Sequence, residues 1–81
     1  MIWYVYMVKG SDESLYTGIT TNLERRVKEH NDGAGSKSLL GKLPVVLVYS
    51  EEFADRSSAS KRESEIKKLS REDKLLLVAG L

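Results

Sequence analysis

The chain has 81 residues and a formal net charge of +1; 41% of the residues are hydrophobic and 31% are charged. These totals indicate one domain with a modest core. The absence of cysteine excludes disulfides and thiolate metal sites, and the single histidine excludes a multi-histidine zinc site. No stretch has the apolar length of a membrane span or the form of a signal peptide. We therefore expect one cytoplasmic domain, residues 1–81, that has no membrane contact and takes only a hard, oxygen-binding metal ion.

The beginning of the chain predicts a β-hairpin. Residues 2–9 and 15–20 are rich in aromatic and β-branched side chains, which favour strands, and residues 10–14 are typical of a turn. An even pairing register would place the even-numbered positions on one face and make Tyr6 and Tyr16 near neighbours. A slip of one residue would move the two tyrosines to opposite faces.

A first helix is predicted after the hairpin. Residues 21–24, Thr-Asn-Leu-Glu, fit a capping box in which Thr21 is the N-cap and Glu24 reaches back to it. Residues 31–33 end the helix. Between these signals, the three- and four-residue spacing places four residues on one continuous face: Leu23, Arg26, Val27 and His30.

The second half of the chain predicts one strand and two helices. After a loop, residues 32–43, a third strand at residues 45–49 is apolar enough to be central in the sheet. Asp55 can cap a helix that extends to about residue 69, and Ser70 can cap a short terminal helix. The order ββαβαα indicates an α+β fold, a small three-stranded antiparallel or mixed sheet with flanking helices.

Glu63 is the most diagnostic residue of the second predicted helix. It follows Ala59 by four positions and precedes Ile66 by three, so it points to the same apolar side. An unpaired carboxylate buried there would be strongly destabilising, so it requires a basic partner or a cation. From the sequence alone, a structural salt bridge is the commoner explanation.

The other polar candidates have two interpretations each. Arg26 can cover the sheet with its apolar stem or direct its planar guanidinium at a phosphate. His30 can be a structural group or, with an ordinary pKa of about 6.5, a proton carrier. Tyr6 and Tyr16 are ordinary core or boundary residues unless a positive charge lies nearby, because a tyrosine pKa of about 10 is high for a general base.

In combination, these residues resemble the signature of the GIY-YIG nuclease family. Val5-Tyr6-Met7 and Tyr16-Thr17-Gly18 are similar to its two tyrosine motifs. The segment of the first helix that holds Arg26 and His30, and the acidic helix that holds Glu63, also look like their counterparts in the family. The resemblance covers nearly the whole chain, and five separated positions agree: Tyr6, Tyr16, Arg26, His30 and Glu63.

The resemblance implies an endonuclease that hydrolyses DNA, in the repair or processing of branched or damaged substrates. Glu63 would hold one Mg²⁺ or Mn²⁺ ion, and Arg26 would stabilise charge on the scissile phosphate. Tyr16 would deprotonate or position the attacking water. Tyr6 would orient the water or a phosphate oxygen, and His30 would support that network or share the proton transfer.

A binding module is the main alternative. Ile19 stands where several active relatives carry lysine, and no asparagine follows Asn31. The domain could then be a catalytically weak or inactive module that docks on nucleic acid and needs a protein partner. Two mildly basic stretches, residues 21–49 and 56–74, favour only weak DNA binding with little sequence specificity.

A third interpretation places RNA on the sheet. In it, single-stranded RNA stacks on three aromatic side chains: Trp3, Tyr4 and Tyr6.

Overall fold

The computed structural model describes residues 1–80, and Leu81, the last residue of the predicted domain, lies outside them. The predicted order ββαβαα is confirmed, with a 3₁₀ helix, Lys37–Lys42, inside the predicted loop. The strands and helices are β1 (Trp3–Lys9), β2 (Leu15–Thr20), α1 (Leu23–Asn31), β3 (Val46–Phe53), α2 (Arg56–Lys67) and α3 (Arg71–Val78). The fold is α+β, as predicted.

The three strands form an antiparallel sheet in the order β2-β1-β3. Tyr6 lies opposite Gly18, and Val8 lies opposite Tyr16, which confirms the even register of the hairpin. The prediction that the third strand is central was wrong. The central strand is β1, whereas β3 is an outer strand on which Val46 is 54% exposed and Leu47 is 41% exposed.

Residues alternate between the two faces of the sheet and build two separate cores. On one face, Tyr6 and Val8 pack with Leu39 and Val45, and α1 covers them. On the other face, two residues of β1 pack with two residues of α2: Val5, Met7, Ala59 and Ile66. Leu77 and Val78 of α3 extend this second core. The sheet is therefore the middle of three layers.

The beginning of α1 differs from the prediction. The N-cap is Asn22, not Thr21, and its side-chain Oδ1 accepts a hydrogen bond from the Arg25 N–H at 3.0 Å. The proposed return contact from Glu24 is not part of this cap, because the cap lies one residue further along the chain. Asparagine is the stronger capping residue of the adjacent pair, which explains the difference.

The predicted caps of the last two helices are present. The carboxylate of Asp55 accepts from the Ser58 N–H at 2.7 Å, and the hydroxyl of Ser70 accepts from the Asp73 N–H at 3.1 Å. The second helix ends at Lys67, two residues earlier than predicted. Its last turn tightens, because the Leu69 N–H bonds to a carbonyl three residues back rather than four.

The third strand is longer than predicted and continues to Phe53. Its polar second half stays in the sheet because Glu51 faces α2, where the Arg62 Nε donates to both carboxylate oxygens at 3.1 Å. Tyr49 packs in the core under α2, and its hydroxyl donates to Glu51. This polar cluster connects α2 to β3.

Candidate active site

Tyr6, the tyrosine of the first motif, extends its side chain across the neighbouring strand β2. Tyr6 is 1% exposed, and its ring leans over Gly18, its partner on β2. A Cβ atom placed on Gly18 would lie 2.7 Å from the Tyr6 hydroxyl oxygen and 2.9 Å from the ring carbon that carries it. Only glycine, which has no side chain, leaves space at this position for the Tyr6 ring. The glycine of the second motif thus directs the Tyr6 hydroxyl towards the outer edge of the sheet.

His30 holds the Tyr6 hydroxyl. The imidazole is 1% exposed, and its Nε2 lies 2.8 Å from the Tyr6 hydroxyl oxygen. On the other side of the ring, the Ser36 N–H donates to Nδ1 at 3.3 Å. Because a backbone N–H can only donate, Nδ1 must be the unprotonated nitrogen. The neutral ring therefore carries its proton on Nε2 and donates it to Tyr6, whose own hydroxyl proton is free for another acceptor.

A second glycine makes room for this histidine. A Cβ atom on Gly35 would collide with His30 Nδ1 and would lie 2.9 Å from the His30 Cα atom. Gly35 and Ser36 belong to the segment between α1 and the 3₁₀ helix, which was predicted only as a loop. These two residues were missed, because neither has a side chain whose type signals contact with a distant histidine.

The surroundings of the site, burial above all, favour the neutral forms of the His30 and Tyr6 rings. Burial lowers the pKa of His30, and the positive charge of Arg26 lowers it further. Burial also raises the pKa of Tyr6, while the hydrogen bonding and the charge of Arg26 act against that rise. The charge of Glu63 adds to the rise, after burial and the charge of Tyr16. Arg26 and Glu63 thus both act on the Tyr6 hydroxyl.

The second tyrosine, Tyr16, is the accessible one. Its ring is half-buried and meets the His30 ring edge-on, with the centroids 5.3 Å apart. The centroids of Tyr6 and Tyr16 are 6.4 Å apart. The two tyrosines and the histidine therefore form one aromatic cluster, with Tyr6 inside and Tyr16 at its surface.

Arg26 lies beside this cluster and is held by its own helix. Its Nη1 donates to Glu29 Oε1 at 3.1 Å, one turn further along α1. Hydrogen bonding to the Tyr6 hydroxyl raises the pKa of Arg26, so the guanidinium stays charged. The residue is thus more than an apolar cover for the sheet. Glu29 is a further residue that the sequence did not single out.

Glu63 approaches from the opposite face of the sheet. It belongs to α2, whose buried residues Ala59 and Ile66 pack on the face away from the tyrosines. Its side chain is 21% exposed and pairs with Lys67 Nζ at 3.3 Å. The predicted salt bridge of Glu63 exists, and its partner is a half-exposed lysine one turn away.

An open cleft of about 290 Å³ lies between residues of the helices on the two faces of the sheet. Arg25 and Arg26 of α1 line one side, and Arg56 of α2 lines the other. Ile19 of β2 and Trp3 of β1 lie between them. The edge of β2 is therefore the place where groups from both faces of the sheet are brought together.

The aromatic platform suggested for RNA does not exist. Trp3 packs with the core under α2, whereas Tyr6 is buried on the opposite face under α1. Side chains on opposite faces cannot stack bases of one strand, so this interpretation was wrong. Ile19, which stands at the position of the lysine, packs partly into the core under α2.

Among residues 1–80, no three histidine, aspartate or glutamate side chains lie close enough to hold a metal ion by themselves. Glu63 is the carboxylate whose charge contributes to the raised pKa of Tyr6. A cation here would take one protein ligand and complete its shell with water and phosphate oxygens, a donor set that suits Mg²⁺. Across the same residues, no helix has the length and apolar character needed to cross a membrane.

Comparison with known proteins decides the family. A family model described as the GIY-YIG catalytic domain matches residues 2–75. The chain belongs to the GIY-YIG family.

Similar small proteins carry the same GIY-YIG fold. The UPF0213 protein NP_0776A of Natronomonas pharaonis is 55% identical over 76 residues, which cover 94% of this chain and 89% of the relative. The UPF0213 protein CPE1444 of Clostridium perfringens is 54% identical over 77 residues, which cover 95% of this chain and 83% of the relative. The solution structure of the UPF0213 protein BH0048 of Bacillus halodurans has a TM-score of 0.63 at 42% identity, covering 98% of this chain and 84% of that one.

Proposed function

We propose that this GIY-YIG domain is an endonuclease that hydrolyses phosphodiester bonds of DNA with one divalent cation, Mg²⁺ or Mn²⁺. One observation carries the proposal. The buried Tyr6 hydroxyl is hydrogen-bonded to His30, and the charges of Arg26 and Glu63, which belong to helices on opposite faces of the sheet, both influence the pKa of Tyr6. Membership of the GIY-YIG family supports the same chemistry. Repair or processing of branched or damaged DNA in the cytoplasm is the role that we propose for it.

Each residue has a role that follows from its contacts. Arg26 keeps its charge and lies at the site edge, so it can bind the scissile phosphate and stabilise the charge that develops there. The Tyr6 hydroxyl accepts from His30 and keeps its own proton, so it orients a water or a phosphate oxygen as a donor. Tyr16 is accessible to solvent and is the residue that we assign to deprotonating or positioning the attacking water.

The metal would be held by Glu63. The carboxylate is partly exposed, and its present partner is the exposed, flexible Lys67 side chain, which can move aside. When bound, the cation would supply Lewis-acid stabilisation of the phosphate and lower the pKa of nearby hydroxyls. With one protein ligand, the affinity for the ion should be weak without DNA.

The test is nicking of supercoiled plasmid in the presence of Mg²⁺, with Glu63→Gln compared with the wild type. The matched control is Glu65→Gln, which makes the same chemical change on the same helix at an exposed position two residues away. We expect Glu63→Gln to lose at least about 100-fold in rate, the size of loss typical of a key electrostatic group, and Glu65→Gln to keep near-normal activity.

The outcomes separate the nuclease from the binding module. The nuclease proposal fails if Glu63→Gln cuts as fast as the wild type. It also fails if neither protein cuts any of three substrates: plasmid, flap DNA and branched DNA. Salt-dependent DNA binding that needs no metal and gives no products would instead support a binding module, for which the Glu63–Lys67 pair is a structural salt bridge. Loss of metal-dependent cutting in Tyr16→Phe would exclude the binding module.

A further inference from the structure

The cleft at the edge of β2 combines several arginines with one aromatic side chain. Three arginines, Arg25, Arg26 and Arg56, line the cleft together with Trp3. Glu29 is the acid among the lining residues, and it is paired with Arg26 at 3.1 Å and with Arg25 at 4.0 Å. Three positive charges against one negative charge leave the cleft at +2, a site for phosphates beside an aromatic surface.

Trp3 supplies a stacking surface in this cleft. The indole is half-buried, with its inner part packed against the core under α2. The guanidinium of Arg56 lies over the ring, with its central carbon 5.5 Å from the ring centroid. Arg56 is an exposed side chain in the first turn of α2, so it can leave the ring for a phosphate and uncover a face of about the size of a base.

We propose that this cleft binds an unpaired nucleotide next to the phosphate that is cut, with its base on Trp3 and its phosphate on Arg56 and Arg25. The inference rests on the proposed nuclease function and names its substrate class as DNA with unpaired bases beside the cleavage point. Arg26 connects the two sites, because it lines the cleft and also acts on the Tyr6 hydroxyl.

The geometry favours an unpaired base over a paired one. In a duplex, each base is stacked on both faces and hydrogen-bonded to its partner, so it offers no free face to an indole. The cleft, at about 290 Å³, has about the volume of the smallest ligand pockets, which suits a single nucleotide. A flap, a gap or a frayed end would supply the free base.

The structure offers a direct probe, because Trp3 is the single tryptophan of the chain. Its fluorescence is measured in wild-type protein, with EDTA present, while a duplex with a short single-stranded flap is added. The same duplex, fully paired, is the comparison. We expect the flap DNA to quench the fluorescence to saturation and the paired duplex to quench it only weakly, since only a stacked base contacts the indole.

Two variants test the contacts by fluorescence anisotropy of labelled flap DNA. Arg56→Gln should weaken binding several-fold, whereas Lys61→Gln, with the same charge change at an exposed position of the same helix, should leave it nearly unchanged. Trp3→Leu should weaken binding about tenfold, because stacking on an aromatic side chain is lost. If Trp3→Leu fails to fold, two tests remain: the comparison of Arg56→Gln with Lys61→Gln, and the fluorescence titration of the wild-type protein.

The outcomes distinguish this inference from the nuclease proposal. Equal quenching by flap and paired DNA, or equal binding by Arg56→Gln and Lys61→Gln, would overturn the inference. If plasmid nicking proceeds while flap DNA leaves the fluorescence unchanged, the inference fails and the nuclease proposal stands. If flap DNA quenches the fluorescence and no DNA is cut, the cleft is supported as a binding site and the nuclease proposal fails.

Discussion

The hydroxyl of Tyr6 and the Nε2 of His30 lie 2.8 Å apart, although 24 positions separate them in the chain. Both side chains are fully buried, and the hydrogen bond joins the central strand to the end of α1. The Ser36 N–H fixes the ring from the other side. Together, the two hydrogen bonds fix the orientation of the imidazole and leave its proton on Nε2, facing the Tyr6 hydroxyl.

Removing that hydroxyl should destabilise the protein. In Tyr6→Phe, the His30 Nε2–H stays buried without an acceptor, which costs about 1–3 kcal/mol of the free energy of unfolding. The matched control is Tyr4→Phe, a half-buried tyrosine on the same strand and the same face, where we expect a change within about 0.5 kcal/mol. Urea unfolding measures both. Equal stability of the two variants would contradict the proposed hydrogen-bond role.

The glycine of the second motif should be intolerant of a methyl group. In Gly18→Ala, the added Cβ lies 2.7 Å from the Tyr6 hydroxyl oxygen and forces the buried ring to move, which costs about 1–3 kcal/mol. Gly41→Ala is the control, because a Cβ there meets no atom within 4 Å. Thermal unfolding should show a clear loss for Gly18→Ala and none for Gly41→Ala. A Gly18→Ala variant as stable as the wild type would show that the Tyr6 ring does not need the space left by Gly18.

Stability should fall as the solution becomes mildly acidic. The pKa of His30 is lowered in the folded protein by burial and then by Arg26, whereas the unfolded chain takes up the proton at about pH 6.5. Stability rises with pH wherever the unfolded state binds more protons. The free energy of unfolding should therefore decrease from about pH 7 to about pH 5.5, before carboxylates titrate.

The single histidine makes this prediction easy to follow. The NMR signal of the His30 ring should titrate with a midpoint below about 6.5, and the slope of stability against pH in that interval should vanish in His30→Gln. A midpoint above about 6.5 in the folded protein would contradict the lowered pKa.

Lys67 should compete with the cation proposed for Glu63. In Lys67→Gln, the carboxylate loses its partner at 3.3 Å, so a divalent ion no longer has to displace an ammonium group. Partly exposed ion pairs of this kind are worth about 0.2–1 kcal/mol, so the Mg²⁺ concentration for half-maximal nicking should fall by a factor of about 1.4 to 5. Lys68→Gln, the exposed neighbour, should leave it unchanged. A rise in the Mg²⁺ requirement would assign Lys67 a different role.

Local periodicity predicted the hairpin well and the third strand poorly. Alternation in β1 and β2 is regular, so the even register that brings Tyr6 to Gly18 followed from the sequence. In β3 the register shifts by one residue opposite Met7 and Val8, which breaks the alternation and leaves Val46 exposed. An apolar central strand without this shift could have the same composition, so composition could not distinguish a central strand from this outer one.

The candidate site was predictable in its residue types and not in its assembly. Helix spacing placed Arg26 and His30 on the inner side of α1, as observed. It could not indicate that Gly35 and Ser36 complete the pocket of the histidine, because those contacts depend on how the following loop folds back. Nor could it indicate that Glu63 would approach from the opposite face.

The position of α2 on the far side of the sheet has a consequence for the order in which the candidate site is assembled. The aromatic cluster is complete with the first 36 residues and the core under α1, whereas Glu63 joins it only when α2 docks on the other core. During synthesis α2 emerges after every residue of the aromatic cluster, and only α3 follows it. We expect the proposed hydrolysis to begin only after α2 has docked, later than the aromatic cluster forms.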